Sequence, residues 1–415
     1  MIAKTTKSLF AFLALAWLTI GHAAETKTVT IKVEKPAHGS VSLAPPLPDN
    51  GQVAAGTVIH VKATAEAGYA LDTVWQTLPG MFPTYAESRD ADYRVVADVD
   101  KTVGALFLPV TELSGWKEVR DVVYAKPGVK PLKYDVYSPP NAKGLPLVVI
   151  IHGGGWTANN EDIMRGMARE IVRSGRYVAV SMDYRWAGKG DGDSVGNTMV
   201  DLIDDVFGGL AHIQQHAAEY GADPQRIAVT GDSAGGHLSA VAATMVDMVG
   251  SKGFGKQPGV FQFMPSYLPP GKTAEQVGAG LKAAIKVAAP SYGVFAEPAK
   301  GPGLSTFTEP GVGDASWLAA IAPIHHVPAV AERAIPHYLI RGTVDPLISK
   351  AMVDDYEAAL KAKGQQVKHV EVEGASHAFY DWKPDQQTRD TFAKFGVPHI
   401  HDMLAFFDDA FKQAR

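Results

Sequence analysis

Hydrophobic and polar positions follow two different patterns along the chain, and the change between them falls near Pro109. From residue 25 to that point, apolar and polar residues alternate in short runs separated by turn-forming segments, most clearly at residues 29–33, 57–63, 93–96 and 103–107. A period of two is typical of strands that bury one face. The pattern predicts a small all-β domain at residues 25–110.

After Pro109 the chain alternates between continuous apolar runs and helical patterns. The apolar runs lie at residues 147–151, 177–180, 226–230, 285–288, 337–340 and 367–372. Such runs are typical of strands buried on both faces of a parallel sheet. Between them, apolar residues recur at helical spacing, as at Ile163, Met167 and Ile171. Residues 111–415 are therefore predicted to form a doubly wound, mostly parallel α/β sheet.

Residues 250–280 interrupt this alternation. They are rich in glycine and proline and contain large apolar side chains, namely Phe261, Phe263, Met264 and Tyr267. Ligands of open α/β sheets bind at the carboxyl ends of the strands, where an insertion can cover them. We expect a cap or lid in this segment, and a plain surface loop is the alternative.

Residues 1–24 have the pattern of a secretory signal peptide. Lys4 and Lys7 precede an uncharged apolar stretch at residues 9–20, and small residues for cleavage follow it. That stretch is shorter than the roughly 20 residues that span a bilayer, which disfavours a stable membrane anchor. The sequence predicts a secreted or periplasmic protein.

Composition narrows the chemistry. The chain has no cysteine, which excludes disulfides, zinc–thiolate sites and a cysteine nucleophile. The formal net charge is -5 and no basic run follows the first few residues, so nothing indicates nucleic-acid binding. Any covalent catalysis must use another side chain.

A candidate nucleophile lies in the pentapeptide Gly-Asp-Ser-Ala-Gly at residues 231–235. The pentapeptide follows the apolar run at residues 226–230 and precedes a helical pattern. A serine on such a tight strand-to-helix turn, with glycine two positions before and after it, is presented as a nucleophile. We predict this role for Ser233, and a turn that merely contains serine is the alternative.

A serine nucleophile needs a base and usually a carboxylate that holds the base. His377 follows the last predicted strand and Asp345 follows the strand before it, so both should reach the sheet edge where Ser233 lies. The order Ser, Asp, His is that of an α/β-hydrolase. Asp183 also follows a strand and competes with Asp345, although its neighbour Arg185 favours a structural ion pair.

Backbone donors for a developing oxyanion are available at two places. The sequence His-Gly-Gly-Gly-Trp at residues 152–156 follows the predicted strand 147–151, and its glycines leave N–H groups accessible. The amide of Ala234 begins the helix after the nucleophile and adds the helix dipole. A plain glycine turn is the alternative for the first site.

Taken together, these motifs resemble the esterase/lipase group of α/β-hydrolases, which includes hormone-sensitive-lipase-like carboxylesterases and bacterial feruloyl and acetyl esterases. The resemblance extends from about Val119 to the C-terminus. It implies Ser233 as nucleophile, His377 as base and Asp345 as its partner. It also implies an oxyanion hole formed by the N–H groups of Gly154, Gly155 and Ala234.

Residues 25–110 resemble the β-grasp-like bacterial repeat module of secreted and cell-surface proteins. The resemblance rests on short motifs at residues 37–41, 56–58, 67–69 and 100–103, and an insertion after Trp75 departs from it. The aromatic residues of this part would form its core or, alternatively, a sugar-stacking platform; they are Tyr69, Trp75, Phe82 and Tyr85.

Four aromatic residues flank the hydrolase motifs and are candidates for the substrate pocket, with packing as the equal alternative; they are Trp156, Tyr184, Tyr292 and Phe379. The sequence as a whole predicts an exported serine carboxylesterase without metal or organic cofactor, acting on a small or polysaccharide-linked ester such as an acetyl or feruloyl ester. A serine peptidase of the same fold and a non-catalytic binding protein are the alternatives.

Overall fold

The computed structural model describes residues 27–78, 84–192, 194, 196–251, 263–296 and 320–413. The predicted signal peptide and Phe82 lie outside the described residues. The chain divides into two compact units, one that ends at Phe107 and one that begins at Leu108. The domain boundary predicted at residue 110 lies close to this division.

The first unit is built of strands, as the alternating pattern predicts. Its strands are β1 (Thr28–Val33), β2 (Gly39–Ala44), β3 (Gln52–Ala54), β4 (Thr57–Ala65), β5 (Tyr69–Leu78), β6 (Thr84–Ser88), β7 (Asp92–Ala97) and β8 (Lys101–Pro109). They form a five-stranded sheet in the order β3-β1-β8-β5-β6 and a three-stranded sheet in the order β2-β4-β7. Ile31, Ile59, Val61 and Val95 share one core because alternate residues point to the same face. Trp75 is buried and packs edge-on against Tyr85, which favours a packing role over a sugar-stacking platform for these two side chains.

The second unit contains one sheet of eight strands. These are β9 (Lys117–Ala125), β10 (Leu132–Ser138), β11 (Leu145–Ile151), β12 (Val178–Met182), β13 (Ala222–Asp232), β14 (Ile285–Ser291), β15 (His337–Gly342) and β16 (Val367–Val372). Their order is β9-β10-β12-β11-β13-β14-β15-β16. Strand β10 is antiparallel to both of its neighbours, and β11 to β16 are parallel. The predicted doubly wound, mostly parallel sheet is confirmed.

Along the chain, helices alternate with the strands of this sheet and pack on it. The α-helices are α1 (Arg165–Arg173), α2 (Met199–His216), α3 (Ala234–Thr244), α4 (Ala274–Ala284), α5 (Lys350–Ala362), α6 (Gln386–Thr391) and α7 (Val397–Gln413). Two of them begin at capping boxes, formed by Thr198 and Asp201 on α2 and by Thr273 and Gln276 on α4.

The centre of the sheet is the centre of the core. Residues 147–151 of β11 are fully buried. Burial on both faces is what a continuous apolar run predicts. In a parallel sheet the residues that follow the strands meet at one edge, so Ser233, Asp345 and His377 are brought to the same side. Within the described ranges, no helix is both long enough and apolar enough to cross a membrane.

Of the segment at residues 250–280, the structure describes residues 250–251 and 263–280, so Phe261 lies outside the described residues. Phe263 is buried and its ring centroid lies 5.8 Å from that of Phe207 on α2. The Met264 amide donates to Asp204 of the same helix at 2.8 Å. This part therefore packs along α2. The lid predicted at residues 250–280 stays a prediction, and residues 252–262 lie outside the described residues.

Candidate active site

Ser233 occupies the sharp turn between β13 and α3. Its φ of 53° and ψ of −114° are strained for a residue with a side chain, as expected for a serine held out from the sheet edge. A Cβ at Gly231 would lie 2.4 Å from the Ile151 carbonyl oxygen, and one at Gly235 would lie 1.9 Å from it. Both flanking glycines are needed because the turn presses against β11.

The structure brings the three residues predicted from the strand ends into one hydrogen-bonded chain. Nε2 of His377 lies 2.9 Å from Oγ of Ser233, and Nδ1 of His377 lies 2.8 Å from Oδ2 of Asp345. The serine hydroxyl can therefore pass its proton to Nε2, while the carboxylate holds the other ring nitrogen. The side chain of Asp345 is fully buried and that of His377 is 14% exposed.

Asp345 is held as an anion by its surroundings. Burial acts to raise the pKa of this carboxyl group, but the hydrogen bond to His377 and the bonds from two backbone amides outweigh it, so the pKa is lowered. The two amides are those of Leu347 and Ile348, which donate to Oδ1 at 2.8 and 2.9 Å. An ionised Asp345 can stabilise the imidazolium that forms when His377 takes a proton.

The competing carboxylate, Asp183, lies elsewhere. It bonds to Nζ of Lys130 at 2.9 Å and to Nε2 of His152 at 3.2 Å. The structural ion pair predicted for Asp183 therefore forms with Lys130 and not with Arg185, whose guanidinium binds Asp205 on α2 at 2.7 Å. Through its bond to His152, Asp183 fixes the start of residues 152–156, the glycine loop that follows β11.

The glycine loop after β11 adjoins the serine turn. Gly154 and Gly155 have φ values of +117° and +60°, which side-chain-bearing residues rarely adopt. Among the hydrogen bonds of the described residues, none uses the amide of Gly154, Gly155 or Ala234 as its donor. Within the described part of the chain, the three N–H groups assigned to the oxyanion hole by the sequence resemblance thus have no acceptor.

Asp232 joins the glycine loop to the nucleophile turn. Its carboxyl oxygen Oδ1 accepts the Gly153 amide at 2.7 Å. Burial and the nearby Asp381 carboxylate raise the pKa of Asp232 well above its usual range. Sequence reasoning did not single out this residue, although its place next to the nucleophile inside the pentapeptide was the available signal.

All four aromatic pocket candidates are buried, and none exposes more than 6% of its surface. Tyr184 stacks on the His152 ring at 4.3 Å, and its hydroxyl donates to the His152 carbonyl. Tyr292 packs edge-on against His377 at 5.0 Å, and Phe379 lies against Tyr292. The indole of Trp156 contacts the helix that follows Ser233. Burial therefore favours packing over a pocket wall for these side chains.

One group of side chains in the described part of the chain is close enough to hold a metal ion: Asp354, Glu357 and His369. Lys350 already pairs with Asp354, and Lys361 pairs with Glu357. The group lies on α5 and β16, and its side chains form an ion-pair network without contact to Ser233.

The sheet order, the strained serine turn and the Ser–His–Asp chain define the α/β-hydrolase fold. Residues 134–260 match the BD-FAE family, and proteins named as esterases are among the relatives of this chain. Carboxylesterase NlhH of Mycobacterium tuberculosis is 38% identical over 138 residues, which are 33% of this chain and 40% of that protein. Esterase LipQ of the same organism is 26% identical over 276 residues, 63% of this chain and 57% of that protein.

The structural comparison agrees on the fold. An esterase from Thermogutta terrifontis superposes with a TM-score of 0.51 at 23% sequence identity, covering 71% of this chain and 92% of that structure. The chain matches roughly half the length of the curated relatives named above, at 40% and 57%. The protein thus has the α/β-hydrolase fold and is similar to esterases in sequence.

Proposed function

We propose that the protein hydrolyses carboxylic esters through a covalent acyl-enzyme on Ser233. The observation that carries the proposal is the hydrogen-bonded chain from Ser233 through His377 to Asp345, next to the three amides without acceptors. Each part has a chemical task in ester cleavage. The esterase names of the relatives support the same reaction class.

In the first half of the reaction, Oγ of Ser233 attacks the ester carbonyl carbon while Nε2 of His377 takes the hydroxyl proton. The carbonyl oxygen becomes an oxyanion that accepts from the amides of Gly154, Gly155 and Ala234. The C–O bond to the alcohol then breaks, and His377 returns the proton to the leaving alcohol. In the second half a water molecule repeats these steps on the acyl-enzyme, releasing the acid and free Ser233.

For the substrate, we propose an acetyl or feruloyl ester linked to plant polysaccharide, met outside the cytoplasm after export directed by residues 1–24. The β-domain that precedes the hydrolase supports an extended substrate, because a separate unit can hold a polymer while the hydrolase acts on it. The proposed substrate class is esters of small acyl groups, and attachment of the ester to a polysaccharide is the more specific part of the proposal.

A chromogenic assay separates the reaction class from its alternatives. We expect the wild type to hydrolyse p-nitrophenyl acetate and to react with a fluorophosphonate, whereas Ser233→Ala should lose both. Hydrolysis of p-nitroanilide peptides in preference to esters would favour the peptidase. No labelling and no hydrolysis by a folded wild type would favour the binding protein.

A second assay tests the polymer. We expect release of acetate from acetylated xylan, or of ferulate from feruloylated xylan. The kcat/KM on the polymer should exceed that for the methyl ester of the same acid. Equal values for the polymer and the methyl ester would contradict the polymeric substrate while leaving the esterase reaction intact.

A further inference from the structure

A buried hydrogen bond joins the glycine loop to the helix that follows Ser233. The indole N–H of Trp156, the last residue of the loop motif, donates to Nδ1 of His237 at 3.3 Å. The two rings meet edge to face with centroids 5.7 Å apart. His237 lies one helical turn after Ser233, and its amide donates to the Ser233 carbonyl at 3.1 Å.

The glycine loop depends on contacts at its two ends. Asp232 binds the amide of Gly153 at one end, and at the other the Trp156 carbonyl accepts from Ala187 at 2.7 Å while the Trp156 indole binds His237. Gly154 and Gly155 lie between these anchors and have no side chains that could fix them. Inside the loop the Gly154 carbonyl accepts from the Thr157 amide at 3.1 Å, so the anchors together with this turn set the positions of the two amides.

We propose that His237 is a positioning residue that, through Trp156, fixes the oxyanion-binding amides of Gly154 and Gly155 relative to Ser233. The inference rests on the proposed function and adds a residue to its machinery. His237 touches no reacting atom in this role. It links the two halves of the oxyanion site, because the amide of Ala234 begins the helix that carries His237.

The hydrogen bonds of His237 define its protonation. Nδ1 must be unprotonated to accept from the indole, so the ring proton lies on Nε2, and the backbone of Ile321 accepts a hydrogen bond from the ring. Burial lowers the pKa of His237 to about 4. The ring is thus neutral at physiological pH, in the one tautomer that suits Trp156.

Three variants test the role with p-nitrophenyl acetate. Trp156→Phe keeps a ring but removes the N–H donor, and His237→Leu removes the acceptor. We expect each to lower kcat roughly 10- to 100-fold with KM changed less than about threefold, because the oxyanion exists only in the transition state. His237→Asn places its Oδ1 near the position of the lost Nδ1, and we expect it to restore kcat to within about fivefold of the wild type.

The chain offers a matched control. Tyr356 and His337 form an equivalent buried pair, with a 3.3 Å hydrogen bond and an edge-to-face contact at 5.8 Å. His337 is the first residue of β15, and Asp345 follows the other end of the same strand. We expect His337→Leu and Tyr356→Phe to lower the melting temperature and to leave kcat unchanged.

The outcomes separate this role from a purely structural one. Three results would overturn the inference. The first is a wild-type kcat in a folded His237→Leu variant, and the second is a change in KM alone. The third is a loss of kcat in the His337 and Tyr356 variants as large as that in the Trp156 and His237 variants. If His237→Leu does not fold, Trp156→Phe and His237→Asn decide by the same criteria. A wild type that hydrolyses no ester would overturn the proposed function itself, whereas an active wild type with unaffected variants overturns only the role of His237.

Discussion

The two candidate acids, Asp345 and Asp183, show how burial and partners assign roles to similar residues. Both follow strands and both are buried. Asp345 accepts from two backbone amides and holds His377, whereas Asp183 pairs with Lys130 and His152. The pairing with the base, rather than position after a strand, distinguishes the acid of the triad.

Replacing Asp345 by alanine should lower kcat for p-nitrophenyl acetate by roughly 10³- to 10⁴-fold, because His377 loses the group that orients and stabilises it. Asp183→Ala should retain kcat within about tenfold but lower the melting temperature, because it leaves Lys130 and His152 without their partner. The reverse pattern of kcat values would show that Asp183 is the acid of the triad.

Buried neutral histidines should make the folded state sensitive to acid. Burial lowers the pKa of His337 to about 4, while in the unfolded chain a histidine titrates near 6.5. Between these values the unfolded state binds the proton and the folded state does not, so the free energy of unfolding falls as pH falls. His337→Asn should reduce this slope by up to about 1.4 kcal/mol per pH unit, measured by urea unfolding from pH 6.5 to 4.5. An unchanged slope would show that His337 is already protonated in the fold.

At the scale of elements, α2 holds the chain that follows the 252–262 region. Asp204 accepts from the Met264 amide, and its own carbonyl accepts from the Ser266 amide at 3.0 Å. Burial, which outweighs the bond from Met264, raises the pKa of Asp204 to about 8. The contact between α2 and residues 264–266 therefore favours the protonated, uncharged form of the Asp204 side chain.

Asp204→Asn should stabilise the protein increasingly as pH rises from about 4 to about 8. The unfolded carboxyl ionises near 3.9, so ionisation costs the wild type up to about 1.4 kcal/mol per pH unit across this window. Asparagine keeps the carbonyl acceptor without a charge. Melting temperatures at pH 5 and pH 8 check this, with exposed Asp355→Asn as control. A variant that is destabilised equally at both pH values would contradict the account.

The sequence best predicts the strands whose hydrophobic pattern is determined by burial alone. The apolar run of β11 is buried on both faces and could be read directly. Strands β9 and β10 were not predicted, because charged residues such as Asp135 interrupt their pattern and are satisfied only in the fold, where Asp135 accepts from the Asp121 amide.

The site divides in the same way. The triad could be predicted because parallel strands deliver the residues that follow them to one edge. The bond from Lys130 to Asp183 and that from Trp156 to His237 could not, since 53 and 81 residues separate the partners and only tertiary packing brings them together.

At the scale of the whole molecule, the chain combines two compact units with separate cores. The triad and the oxyanion amides all belong to the second unit. The first unit holds none of the groups that the proposed acyl transfer uses. Its contribution is therefore expected in substrate capture or in support of the second unit.

A shortened chain that starts at Thr111 distinguishes these contributions. We expect it to fold and to hydrolyse p-nitrophenyl acetate with kcat within about twofold of the full chain, because the second unit has its own core. On acetylated or feruloylated xylan it should lose activity, since a tether raises local concentration and leaves the chemical step unchanged. Equal loss on both substrates with a lower melting temperature would show instead that the first unit supports the hydrolase.

The central claim is that Ser233 carries the acyl group, and mass spectrometry after acid quenching tests it most directly. Wild type mixed with excess p-nitrophenyl acetate and quenched within the first turnovers should show one acetyl group on the peptide that contains Ser233, and Ser233→Ala should show none and should not hydrolyse the ester. Sustained hydrolysis by Ser233→Ala, or an acetyl group that forms and turns over on another residue, would contradict the account.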